Sequence, residues 1–146
     1  MSFVNNDEQF AALFKESIAS DYKNALLLMN VSPDVSLFKF RRILETLCLL
    51  YAQRHSYEFT SKNLWEQINE LKDINAIHGA DTDLFHGVRE LANDGVHNKE
   101  LSNEILLSKA LVSRKQVLEL LKSAYLSFGI GKHLPKYELI DVGGQE

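Results

Sequence analysis

Proline is rare in this chain, and its placement limits the possible folds more than any other feature of the sequence. Only two prolines occur, Pro33 and Pro135. Because proline interrupts helices and marks turns, the long stretch between the two is free to form helices. Apolar residues in that stretch recur every three or four positions, with little of the alternation typical of strands. The pattern predicts an all-α protein.

Two long apolar stripes lie in the N-terminal half. The first predicts a helix over residues 7–29, and the second predicts a helix over residues 34–55. The second stripe covers a broader arc, so we expect this helix to be the most buried. The only cysteine, Cys48, lies in its run LETLCLLY and is expected to pack as a small core residue.

Capping residues predict where the later helices begin and end. Ser61 and Asp81 are of types that cap helix N-termini, so we expect the third and fourth helices to begin there. Ser113 and Gln116 have the spacing of a capping box, which predicts that the closing helix follows Ser113. Gly129 is expected to end that helix.

These segments together predict an antiparallel bundle of about five helices with a short irregular C-terminal tail. A chain of 146 residues suits one domain, which we place at residues 1–128. Residues 129–146 form the expected tail, which is either an extended segment or a docking segment for a partner.

The composition argues against several classes of protein. The net charge of −4 is a poor match for a broad basic surface that would bind DNA. The start of the chain, MSFVNNDEQF, does not resemble a signal peptide, and no apolar run is long enough to cross a bilayer. A single cysteine also excludes an internal disulfide framework. We therefore expect a cytoplasmic protein that makes no membrane contact.

The segment GVRELANDGVHN carries the most distinctive polar pattern. Arg89, Asn93 and His97 are spaced by four residues, and His86 lies three residues before Arg89. On a helical wheel with Leu84 at zero, these four residues lie at about 140–220°, opposite the apolar side. Arginine suits phosphate or carboxylate, histidine exchanges protons near neutral pH, and asparagine can orient either group. The set is therefore a candidate site or contact surface.

Plainer interpretations stay open. A helix face opposite the core is normally polar and needs no special function. The sequence NDG at positions 93–95 is also typical of a helix end, which would place His97 beyond the helix. The histidine and aspartate residues between positions 78 and 86 match no established zinc spacing, and no glycine pattern for nucleotide binding occurs. We expect no metal and no cofactor.

A charged group interrupts the second apolar helix, in the sequence FRRILETL. Arg41 and Arg42 are placed to pair with Glu45, four or three residues later. An exposed pair of this kind contributes little to stability. In a helix this apolar, however, the pair is a candidate brace to another helix or a lining of a cleft.

The order of these segments resembles that of the HEPN-like helical domains. The resemblance is to an uncharacterised branch that is common in bacteria and often fused to restriction-endonuclease subunits, and it covers residues 21–128. That branch has an R-x-x-L-E helix and an ending of the form R-x-L-G-N-x-A-x-H. The residues that match are Arg41 or Arg42, Leu44 and Glu45 in the first motif, and Arg89, Leu91, Asn93 and His97 in the second.

This chain departs from the family pattern in two places. Ala92 stands where the motif has glycine, and Gly95 and Val96 replace the small pair before the histidine. HEPN ribonucleases separate their arginine and histidine by four to six residues, whereas seven separate Arg89 from His97. The resemblance therefore implies an all-α bundle that dimerises and is associated with defence or nucleic-acid systems, without implying nuclease activity.

Two functions follow as expectations. The first is a non-catalytic helical module that pairs with itself or with a larger protein, in a bacterial or phage defence or nucleic-acid-associated system. Its contact residues would be Arg41, Arg42, Glu45, His86 and Arg89. The alternative is a metal-independent HEPN-type ribonuclease or RNA-binding domain, in which Arg89, Asn93 and His97 would act on a phosphate. The sequence leaves open whether the protein is an enzyme.

Overall fold

A computed structural model describes residues 4–97 and 100–143, with the backbone alone for residues 96 and 97. This part of the chain contains six α-helices and no strand longer than an isolated parallel bridge between Asn6 and Glu138. The prediction of an all-α bundle with an irregular tail is confirmed. The helices are α1 (Asp7–Ala11), α2 (Glu16–Leu28), α3 (Pro33–Arg54), α4 (Leu64–Asp73), α5 (Gly79–His97) and α6 (Asn103–Ser127).

Helix α3 is the centre of the bundle and packs against α2, α4, α5 and α6. Pro33 is its first residue. Amides in the first turn of a helix make no hydrogen bond within the helix, so the amide hydrogen that proline lacks is not needed there. Cys48 is fully buried in this helix, as predicted. The stripe predicted as its core side is also buried: Leu37, Phe40, Leu44, Leu47 and Tyr51.

The predicted helix over residues 7–29 is two helices. Helix α1 ends at Ala11, and the chain turns through residues 12–15 before α2 begins. The turn places the Phe14 and Phe10 rings edge to face, with ring centroids 5.7 Å apart. Phe10 in turn stacks on Tyr137 of the tail, with ring centroids 4.9 Å apart. Because apolar spacing continues on both sides of the turn, the sequence pattern does not reveal the break.

Two of the predicted helix starts are wrong for the same reason: a different polar residue caps the helix. Asn63, not Ser61, caps α4, since its side chain accepts a hydrogen bond from the Glu66 amide. Ser102 caps α6 by accepting from the Ile105 amide. Ser113, predicted to start the closing helix, lies fully buried in the middle of α6.

Helix α5 runs straight through the predicted helix end at positions 93–95. It begins at Gly79, so Asp81 lies in its first turn and does not precede it. At Gly95 the helix passes close to α3: an added Cβ would lie 3.2 Å from Leu37 Cδ1 and 3.6 Å from Asp34 Cα. Glycine at this position allows α5 to pack closely against α3 and does not end the helix. Gly129, by contrast, follows α6 with a φ of 67°, as predicted.

The tail is joined to the N-terminus by a buried ion pair. Asp7 is completely buried and Arg114 is 3% exposed, with Arg114 Nη2 2.7 Å from Asp7 Oδ2. Tyr22 donates its hydroxyl hydrogen to the same carboxylate. Both partners then reach the tail, because the Ile140 amide donates to Asp7 and Arg114 donates to the Ile140 carbonyl.

No helix in the described ranges is long and apolar enough to cross a membrane.

Candidate functional site

The buried side of α5 differs from the predicted one. Its buried side chains are Thr82, Phe85, Val88 and Ala92, while Leu84 is only half-buried. At 100° per residue, the centre of this stripe lies about 95° from Leu84. His86, Arg89 and Asn93 consequently lie beside the core and not opposite it, and their side chains are half-buried.

Polar side chains from three helices meet on this flank of α5. We call this group the polar cluster and define it as Arg41 of α3, Trp65 and Asn69 of α4, and His86, Arg89 and Asn93 of α5. Helix α5 packs against both α3 and α4, which brings these residues together. Four of the six were predicted as site residues from the sequence, and Trp65 and Asn69 were not.

His86 is held at both ring nitrogens. Its Nε2 lies 3.0 Å from Asn69 Oδ1, and Arg89 Nε donates to its Nδ1 at 3.3 Å. Because a guanidinium can only donate, Nδ1 must be the acceptor, and Nε2 then carries the hydrogen that Asn69 accepts. Burial, followed by the nearby Arg89 charge, lowers the pKa of His86 below its usual value of 6.5. Both effects favour the neutral ring, in the tautomer that carries its hydrogen on Nε2.

Trp65 is the most exposed residue of the polar cluster, whereas Arg89 is largely buried. The Arg89 side chain is 16% exposed, and its Nη2 lies 3.5 Å from Glu90 Oε1. The Trp65 ring lies beside the His86 ring, with centroids 6.1 Å apart, and Trp65 is 51% exposed. A large aromatic ring is thus presented to the outside next to a permanently charged guanidinium.

The two neighbouring arginines of α3 point to different partners. Arg41 Nη1 donates to Asn93 Oδ1 at 3.0 Å and joins α3 to α5. Its Nε also lies 3.8 Å from Glu45 Oε1, as the spacing predicted, although Glu45 is half exposed. Arg42 instead pairs with Asp21 of α2, at 3.5 Å. Arg42 therefore braces α2 against α3 and is not part of the polar cluster.

The predicted trio of Arg89, Asn93 and His97 is only partly described. Arg89 and Asn93 belong to the polar cluster, whereas the side chain of His97 lies outside the described part of the structure. Among the side chains that the structure describes, which do not include that of His97, no three His, Cys, Asp or Glu are grouped closely enough to hold a metal ion.

Sequence reasoning missed Trp65, Asn69 and the buried Asp7–Arg114 pair for different reasons. Trp65 and Asn69 lie four residues apart, one helical turn, so their shared face was visible in the sequence. Their position against His86 was not visible, because it depends on how α4 packs on α5. Asp7 and Arg114 are 107 residues apart, and no local pattern connects them.

An all-α bundle with a half-buried polar cluster on one flank defines a class of helical domain rather than a known activity. The model of a family described as a domain of unknown function, DUF4145, matches residues 23–126. Because this match covers most of the chain, the protein belongs to that family. It includes every residue of the polar cluster but not α1 or the tail. No curated protein and no solved structure matches the chain.

Proposed function

We propose that the protein is a non-catalytic helical interaction module that binds a protein partner through the polar cluster. The partner is either a second copy of the chain or a larger protein. The resemblance to HEPN-like domains suggests the setting, a bacterial or phage defence or nucleic-acid-associated system. The observation that carries the proposal is the state of His86, with both nitrogens bonded inside the chain beside a half-exposed Trp65.

That state favours recognition over catalysis. A general base needs a free lone pair within reach of the proton that it removes. The acceptor nitrogen of His86 is instead occupied by Arg89, and α5 itself is joined to α3 by the hydrogen bond from Arg41 to Asn93. Side chains that are already ordered lose little entropy when they bind a partner.

The chemistry of the exposed part suits a protein interface. Tryptophan and arginine are the residue types that most often dominate binding energy at interfaces. Trp65 offers a large apolar ring, and Arg89 offers donors for a carboxylate or a backbone carbonyl of the partner. Glu90, which now faces Arg89, would be displaced or shared in such a complex.

Sedimentation velocity over a range of protein concentrations tests the homodimer. We expect wild type to dimerise and Trp65→Ala to weaken the dimer at least about tenfold, since a central aromatic anchor contributes roughly 2 kcal/mol or more. Leu27→Ala is a matched control, because Leu27 is 66% exposed on α2 and lies outside the polar cluster. Its dimer constant should equal that of wild type.

A photo-crosslinker at position 65 tests the larger partner if wild type is monomeric. In cells that express the protein naturally, we expect a specific adduct from position 65 and none from the same crosslinker at position 27. A monomer that also gives no adduct specific to position 65 would refute the proposal.

RNA binding is the second candidate, and the exposed Trp65 ring beside His86, which is bonded to the Arg89 guanidinium, favours it. Aromatic rings stack on unpaired bases, and arginines bind phosphate. Binding of labelled single-stranded RNA in the presence of EDTA would separate RNA recognition from protein recognition. Binding by wild type that is lost in both Trp65→Ala and Arg89→Ala would support RNA over a protein partner. Cleavage lost in His97→Ala would establish the HEPN-type ribonuclease, and intact RNA with no binding would exclude both.

A further inference from the structure

A second surface feature lies between α6 and the C-terminal tail, and it shares no residue with the polar cluster. It is an open groove of about 520 Å³. Helix α6 forms one side, and residues 134–139 of the tail form the other. Binding in this groove is therefore independent of the proposed function of the polar cluster.

The groove has an apolar lining. Leu118 of α6 is almost completely buried at its base. Two leucines of the tail remain open to water beside it, with Leu134 40% exposed and Leu139 52% exposed. Exposed leucines on the tail side of a concave surface form a site for apolar side chains of another molecule.

Positive charge surrounds that lining. Lys115 and Lys122 of α6 and Lys136 of the tail all line the groove. Among the described lining residues, Glu119 supplies one carboxylate, and it accepts a hydrogen bond from Lys122 at 3.1 Å. Lys115 and Lys136 are exposed cations of the same lining. The whole chain carries a net charge of −4, so this local excess of lysine opposes the overall charge.

The tail side of the groove is fixed in place before anything binds. Arg114 and Asp7 bond both backbone groups of Ile140, next to Leu139. Tyr137 stacks on Phe10, and the Glu138 amide donates to the Asn5 carbonyl. A groove that is already formed requires little ordering when it binds a ligand.

We propose that this groove binds an acidic amphipathic segment of a partner protein. Apolar side chains of the segment would lie on Leu134 and Leu139, and its carboxylates would face Lys115 and Lys136. Single-stranded RNA fits less well, because the surfaces between the lysines are leucine side chains and the ring of Tyr137 is already stacked on Phe10.

Fluorescence anisotropy with a synthetic peptide tests the proposal on the full chain. The probe is a labelled helical peptide of about 14 residues, with leucines at helical spacing and glutamates elsewhere. Its controls are the same peptide with glutamine for every glutamate and the same peptide with serine for every leucine. We expect the acidic amphipathic peptide to bind wild type, and both controls to bind at least about fivefold more weakly.

Charge reversal on the groove supplies the decisive comparison. The double variant Lys115→Glu, Lys136→Glu should weaken the peptide about tenfold or more. The matched control is Lys23→Glu, Lys62→Glu, which makes the same charge change at two exposed lysines outside the groove. Circular dichroism would confirm that both variants fold like wild type.

Three outcomes would overturn the proposal. The first is no binding of the acidic peptide up to about 1 mM, and the second is equal weakening by the two double variants. The third is preference of the groove for a single-stranded RNA oligonucleotide that competes with the peptide and binds more tightly. Trp65→Ala should leave peptide binding to the groove unchanged. A negative result for the groove can therefore be told apart from a negative result for the polar cluster.

Discussion

Replacing Asp7 with alanine should destabilise the whole fold, because it leaves the charge of Arg114 buried without a partner. Asp7 is completely buried and accepts hydrogen bonds from Tyr22, from Arg114 and from the Ile140 amide. Removing one member of a buried ion pair typically costs about 3–5 kcal/mol. For a chain of this size that loss lowers the melting temperature by roughly 10 °C or more.

A double-mutant cycle separates the ion pair from the surrounding packing. Arg114→Met should also destabilise, since it leaves the Asp7 carboxylate buried and unpaired. The double variant Asp7→Ala, Arg114→Met should lose less stability than the sum of the two single losses, because it removes both charges at once. Urea unfolding followed by the helical circular dichroism signal gives the free energy of each variant.

The same variants have a local signature in the tail. The Ile140 amide loses its acceptor in Asp7→Ala, so its hydrogen exchange should become faster than that of buried amides in α3. A cost below about 1 kcal/mol for Asp7→Ala would refute the reasoning, as would a double variant whose loss equals the sum of the single losses.

Two further predictions concern His86 and the start of α6. The pKa of His86, read from an NMR titration, should lie below 6.5 and rise in Arg89→Met, whereas Arg42→Met should not change it. Because folding lowers this pKa, His86 stabilises the protein above its unfolded pKa of about 6.5, and that contribution is lost as the pH falls through the folded value. Ser102→Ala should cost about 1 kcal/mol of unfolding free energy as a lost cap. Ser113→Ala should be neutral or stabilising, since the buried Ser113 hydroxyl has no hydrogen-bond partner among the described residues; an equal loss in both would contradict this assignment of the cap.

The candidate site was predictable as a set of residues but not as an arrangement. Spacing along α5 singled out His86, Arg89 and Asn93, and all three lie in the polar cluster. The same spacing could not show that His86 is held by Asn69 of α4. It also could not distinguish Arg41, which reaches the polar cluster, from Arg42, which pairs with Asp21. Each of these contacts depends on the packing of a second helix.

The orientation of α5 shows why a wheel alone was insufficient. Leucines at 84 and 91 suggested one apolar direction, whereas Phe85 and Ala92 lie on the side that α5 buries. An apolar arc wide enough to hold both sets permits either rotation, and the fit of the neighbouring helices selects one.

The sequence alone determined that this chain forms helices, because helix formation follows from local spacing and from the scarcity of proline. It also determined that Cys48 and the α3 stripe are buried, since their apolar arc is too broad to face water. Only the tertiary structure decided where competing caps start a helix, how α5 is rotated, and that Asp7 meets Arg114. Those outcomes depend on contacts between residues far apart in the chain, and no local pattern encodes such contacts.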